Sequence, residues 1–392
     1  MSADARAPGR CRAIAPGMLA AWAVLSCAVV LASAPDERAG QAPLVLAREG
    51  YFFVGGRQVA RGQETVHVDH MYVEYQIPAK LLHPYPLVMV HGGGGTGVTY
   101  QGTPDDREGW QEFFVRAGYA VYVVDRPTAG RSAYDSLTDG PLLRGAPGAT
   151  ERMFTRPEQY QLWPQARLHS QFPGSGLPGD LVYEQTVEAG VPFIGNERRV
   201  DEIDRDALAA LLDRIGPAIL LTHSRSGPLG WLAADARPGL VKAIVAIEPN
   251  GPPFKNPPSQ STTAPPSATD REWGITYAPL TFEPAVQRAA DLAPRQAPPE
   301  GKDLVGCWQM SGPPRTLVHL VGVPVLIVTS ESGYHAQYDQ CTAEFLRAAG
   351  VRNEHVRLES RGIHGNGHLM MWEKNSLVIA ALIEHWLDGH TR

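Results

Sequence analysis

The chain of 392 residues is 43% hydrophobic and 19% charged. That is enough apolar material for a sizeable core and excludes wholesale disorder. Acidic residues (41) outnumber basic ones (35), for a formal charge of −6, and no basic stripe tracks phosphates, which argues against nucleic acid as a partner.

Arg6, Arg10 and Arg12 precede an apolar run from Met18 to Leu31 that closes on Ala32-Ser33-Ala34. A basic start, an apolar middle and a small-residue end are the pattern of a secretory signal peptide over residues 1–34. The run is short of the ~20 residues that span a bilayer. A secreted or periplasmic chain is therefore expected, over residues 35–392, without stable membrane insertion. Cys11 and Cys27 would leave with the leader. Cys307 and Cys341 remain, an even pair in an oxidising compartment and a candidate disulfide. Neither has the spacing of a zinc ligand set, and the histidines outside the 362–368 run show no H-E-x-x-H or paired metal spacing, so no metal is expected.

Tyr51-Phe52-Phe53-Val54, a Gly55-Gly56 turn, and an alternating run from Thr65 to Ile77 read as an antiparallel start. The pattern then changes. Pro86 to Val90 is a short, fully apolar strand that ends on His91-Gly92-Gly93-Gly94-Gly95. A helix is predicted over 108–117, and a second apolar strand runs from Tyr119 to Asp125. An amphipathic helix over 201–214 leads to the strand Ala218 to Leu221, then a turn and a helix from about Pro228. Apolar strands follow at Val241 to Ile247 and Val323 to Val328. A helix over 337–349, a short strand His355 to Leu358 and a closing helix over 373–388 complete the order. Apolar strands alternating with helices predict a mostly parallel sheet covered on both faces. Right-handed crossovers then gather the strand ends along one edge, where ligands bind. Two insertions interrupt the order. Residues 133–200 carry Phe154, Tyr160, Trp163, Phe172, Tyr183 and Phe193 among their aromatic side chains and are expected to form a cap. Residues 250–314 contain 13 prolines and are expected to form a stiffened loop.

Thr222-His223-Ser224-Arg225-Ser226-Gly227 follows an apolar strand and opens a helix. That is the context of a nucleophile elbow, whose sharp turn tolerates only small residues two before and two after the nucleophile. Thr222 and Ser226 keep those positions small, and Ser224 is left projecting from the sheet edge. A serine hydroxyl is a poor nucleophile until a base takes its proton. Gly362-Ile363-His364-Gly365-Asn366-Gly367-His368 follows the last strand, where such a base belongs. His368, just ahead of the closing segment, is favoured over His364. A carboxylate must orient the imidazole. Glu248 and Glu331 both end strands, and the residues alone leave the choice between them open. Glycines admit backbone N–H groups close to a developing oxyanion. Gly93 or Gly94, with Arg225 after the nucleophile, would donate them.

Four stretches carry a resemblance: H-G-G-G-G-T-G-V-T-Y (91–100) with T-P-D-D-R-E-G-W (103–110), V-V-D-R-P-T-A-G-R-S (123–132), T-H-S-R-S-G (222–227) with I-E-P (247–249), and G-N-G-H-L-M-M-W-E-K-N (365–375). On these the chain resembles the α/β-hydrolases, and within them a branch of secreted bacterial carboxylesterases. The resemblance covers about residues 50–390. It implies an α/β-hydrolase fold with a glutamate acid after strand six, which maps onto Glu248, and a histidine in the G-N-x-H run, which maps onto His368. The expected activity is serine carboxylic ester hydrolysis through an acyl-enzyme by Ser224, His368 and Glu248, without a cofactor. Rival readings are a lactonase, polyesterase or acyltransferase with the same triad, or a catalytically dead secreted binding protein. The expected partner is a small-molecule or polymeric ester substrate, and a homodimer stays open.

Overall fold

The apolar runs form the strands of one eight-stranded sheet: β1 (Leu46–Arg61), β2 (Glu64–Pro78), β3 (Leu87–Val90), β4 (Val121–Asp125), β5 (Ala218–His223), β6 (Val241–Ile247), β7 (Val325–Thr329) and β8 (Asn353–Arg357). This computed structural model describes residues 42–146, 148–256 and 271–391. The expected leader over 1–34 lies outside the described residues, as does the middle of the Pro-rich insertion. Strand order is β1-β2-β4-β3-β5-β6-β7-β8. The β1–β2 and β2–β4 pairings are antiparallel. Every pairing from β4 to β8 is parallel.

Successive side chains of a strand point to opposite faces, and the core divides accordingly. Val88, Val90 and Leu220 pack into one apolar cluster, while Leu87, Met89, Ile219 and Leu221 pack into the other. Six helices are named here: α1 (Trp110–Arg116), α2 (Leu181–Glu188), α3 (Glu197–Ile215), α4 (Gly227–Ala236), α5 (Asp339–Ala348) and α6 (Ser376–His390). The first face takes α3, α4 and α5; the second takes α1 and α6. α3 begins four residues before the predicted 201 because Asn196 caps it, its side chain accepting from Arg199 N at 3.1 Å. A side-chain acceptor at the N-cap satisfies one of the helix's free N–H groups, and the last residues of the expected cap segment are absorbed into the helix.

Gly55-Gly56 is not a turn. β1 runs straight through it, and the hairpin reverses at Gly62-Gln63. Both glycines have positive φ (65° and 81°). A Cβ on Gly56 would sit 2.7 Å from Val68 O, so glycine here admits the close approach of β2.

The predicted cap over 133–200 is built of short pieces: helical turns at Ser136–Asp139 and Pro157–Tyr160, a 3₁₀ turn at Pro164–Leu168, α2, and a two-residue ladder between Leu142–Leu143 and Phe193–Ile194. The described parts of the Pro-rich insertion are mostly irregular. Cys307 and Cys341 are joined, which staples that insertion to α5. Closing a loop across a sequence separation of 34 residues contributes roughly 3–4 kcal/mol in the chain-entropy picture. Among the described residues, no helix is long and apolar enough to cross a membrane.

Candidate active site

β5 ends at His223, and the chain turns sharply at Ser224, a non-glycine residue at φ 55°. That left-handed conformation is strained for any residue with a Cβ, and it is held from three sides. His223 N donates to Ser226 Oγ at 2.8 Å, and Ser226 Oγ donates to Val90 O at the end of β3 at 2.8 Å. Asn250 N donates to Ser224 O at 2.7 Å. Gly227 lies against Pro249, where a Cβ would come within 2.4 Å of the proline ring. The small residue at 226 is therefore a serine with a job: its hydroxyl ties the elbow to the neighbouring strand.

Glu248 leaves β6 in a left-handed conformation, φ 41°, and is fully buried. Its Oε1 accepts from Ser330 N at 2.9 Å and from the Ser330 hydroxyl, and its Oε2 meets His368 Nδ1 at 2.6 Å. Gly333 covers the carboxylate so closely that a Cβ there would lie 2.6 Å from Oε1. His368 is 3% exposed. His223 Nε2 holds its backbone by the carbonyl at 3.0 Å, and Phe154 of the cap stacks on its ring at 5.6 Å.

The other two candidates find each other instead. Glu331 takes His364 Nδ1 at 3.0 Å and Gly365 N at 2.7 Å, with His364 well exposed. They brace the loop that carries His368. Asn366 and Gly367 of the same loop bind Glu373, whose carboxylate also receives His169 Nε2 of the cap at 2.9 Å.

The glycine loop borders the same cavity, about 510 Å³, with Ser224, Tyr334 and His368. Gly92 packs on the elbow: a Cβ would be 3.1 Å from Ser224 Cβ. Gly93 lies against the aliphatic part of Arg225, whose guanidinium is tied to Glu197 at 2.7 Å and to Ile194 O at 3.1 Å. Gly94 turns with φ 66° and its carbonyl accepts from Val191 N of the cap at 2.8 Å. His91 locks the loop from behind, Nδ1 donating to Gly92 O at 2.8 Å while Nε2 accepts from Arg126 N at 3.0 Å.

Residues 87–382 match the profile described as the alpha/beta hydrolase family. The chain belongs to that family. A curated fungal protein named probable secreted lipase phiG, from Fungal sp. (strain ATCC 74256), is 40% identical over 340 residues, which is 86% of this chain and 89% of that protein. A solved structure titled as a novel bacterial esterase is 28% identical, with a TM-score of 0.60, and the alignment covers 90% of this chain and 98% of that one.

Gly92 touches Ser224 itself, while Gly93 lies against Arg225. Around His368 of this hydrolase, two residues escaped sequence reasoning, Tyr334 and His335. Tyr334 Oη lies 3.2 Å from His368 Nε2, and Tyr334 borders the cavity with Ser224. His335 stacks on His368 at 5.0 Å and gives Nδ1 to Asp339 Oδ1 at 2.9 Å. Tyr334 and His335 stand on the loop after β7, where no motif marks them. Glu248, His335 and His368 each bring one potential ligand atom within 4.8 Å of the others. A metal held there would displace the hydrogen bond between Glu248 and His368.

Burial holds His368 well below its usual pKa of 6.5, with the neighbouring His335 ring adding to the effect. The same burial raises Glu248, against the pull of His335 and Ser330. A base with a lowered pKa stays neutral, and so able to accept a proton, into mildly acidic solution. The acid limb of a kcat/KM profile, measured on a neutral ester, is therefore expected below pH 6.5. A limb centred above that value would contradict this environment for His368.

Proposed function

We propose that the protein is a secreted serine carboxylic ester hydrolase. Ser224 attacks the ester carbonyl, His368 is the base, Glu248 holds His368 in the tautomer with the proton on Nδ1, and water then cleaves the acyl-enzyme. Backbone N–H groups of the 92–94 loop and of Arg225 stabilise the oxyanion. The observation that carries the reading is the buried His368–Glu248 pair at 2.6 Å, whose imidazole borders one cavity with Ser224. The names of the fungal relative and of the bacterial structure point the same way, and the joined Cys307 and Cys341 suit an oxidising compartment.

Met153, Phe154, Phe193, Leu369 and Trp372 line the cavity. Largely apolar walls favour apolar acyl or alcohol groups. Lactones and polyesters would use the same chemistry, and products formed with competing alcohols separate hydrolysis from transfer. A fluorophosphonate probe tests the core of the reading. One adduct per chain is expected, on the peptide containing Ser224. An unlabelled protein that turns over no ester would make it a dead scaffold.

A further inference from the structure

His368 gives its Nδ1 proton to Glu248, so Nε2 presents a lone pair. The Tyr334 hydroxyl, 3.2 Å away, must then be the donor in that contact. Its single proton is committed to His368. Toward Ser224, which borders the same cavity, the phenol then has only an oxygen lone pair to offer, so a contact between the two has the serine hydroxyl donating. The proton order open to these groups is Ser224 to Tyr334, Tyr334 to His368, and His368 to Glu248.

We propose that Tyr334 is a further catalytic residue, a hydroxyl relay that carries the proton between His368 and the oxygens at the reacting carbon. This rests on the serine-hydrolase reading and adds a member to it. In acylation the Oγ–C bond forms as the carbonyl electron pair moves onto oxygen. The Oγ proton passes to the Tyr334 oxygen while the Tyr334 proton passes to His368 Nε2. When the tetrahedral adduct collapses, the carbon–alkoxide bond breaks. The imidazolium proton returns through Tyr334 to the alkoxide, which leaves as the alcohol. Water repeats the sequence in deacylation. Tyrosine is a neutral phenol before and after each step.

The surroundings suit that role. Burial, and after it the charge of Glu248, raise the phenol pKa above its usual 10, so the group does not rest as phenolate. The ring is clamped between Trp163 at 5.9 Å and His335 at 4.5 Å. The loop beneath is pinned by Trp163 Nε1 to Ser332 O at 2.9 Å and by Ser332 N to Asn366 O at 2.8 Å. The disulfide packs nearby, in one cluster with Tyr338 and Tyr334. A relay must not wander, since misplacement by an ångström costs about 10²-fold.

The test is a proton inventory of kcat/KM on an alkyl ester, in mixtures of light and heavy water, with wild-type protein and Tyr334→Phe. Two protons in flight give a curved inventory for the wild type. Tyr334→Phe, which keeps the ring, should be about 10²-fold slower or more with a linear inventory. It should lose less on a p-nitrophenyl ester, whose leaving group needs no proton. A linear wild-type inventory, a variant within about threefold of wild type, or a slow variant whose inventory stays curved would each overturn the relay. If the variant does not fold, the wild-type curve still decides. Failure of the underlying reading looks different: Ser224→Ala would keep its turnover.

Discussion

Ser224→Ala is expected to lower kcat by about 10⁴–10⁶-fold on any ester the protein turns over, with KM little changed. The argument turns on what alanine keeps. The position needs φ 55°, and serine and alanine both carry a Cβ, so the backbone strain is unaltered. The Cβ contact with Gly92 survives, as does the backbone bond from Asn250 N to Ser224 O. Only the hydroxyl is lost. Thermal denaturation should move by no more than a few degrees. The residual rate is what the backbone donors and the cavity supply without a nucleophile. Steady-state kinetics beside a melting curve measure both, and a loss smaller than about tenfold would remove Ser224 from the chemistry.

The fold was legible because its signal is periodic and local. Val88 to Val90 and Ile219 to Leu221 are apolar at every position, and a strand reads that way only when both faces are covered. The elbow was legible for a related reason: a strand, three small residues and a helix start are contiguous in the chain. Gly55-Gly56 misled because a glycine pair marks a turn and a close strand approach equally well, and only the partner strand distinguishes them. Read from the residues alone, the carboxylate partner of His368 was ambiguous for a geometric reason, and only the family resemblance pointed to Glu248. β6 and β7 are neighbours, so Glu248 and Glu331 end on the same edge within one loop of each other. Which carboxylate meets His368 depends on side-chain direction, and sequence carries no such information. Tyr334 was invisible on the same ground. Nothing local distinguishes Ser332-Gly333-Tyr334-His335 from an ordinary turn, and its meaning comes from a histidine 34 positions away.

That ambiguity makes the paired amides at 248 and 331 the sharper comparison. Glu248→Gln preserves volume in a fully buried site but changes what its atoms can do. Ser330 N and the Ser330 hydroxyl both donate to Oε1, so the carbonyl arm of glutamine must stay there. The NH₂ arm is left facing His368 Nδ1, where a carboxylate oxygen sat at 2.6 Å. Two donors cannot share that contact, so the imidazole moves its proton to Nε2 and presents a lone pair to the amide. It is then no longer a base toward Tyr334 and Ser224. Flipping the amide only moves the conflict to Ser330. An acid-to-amide change of this kind typically lowers kcat by about 10⁴-fold with the geometry intact. Glu331→Gln keeps one oxygen for Gly365 N but puts an NH₂ group against the exposed His364. It loosens the loop behind His368 but leaves the tautomer alone, so a loss under about tenfold is expected. Kinetics of the two variants on one ester decide the assignment. A silent Glu248→Gln beside an inactive Glu331→Gln would transfer the acid to the strand β7 edge and undo the pairing on which the mechanism stands.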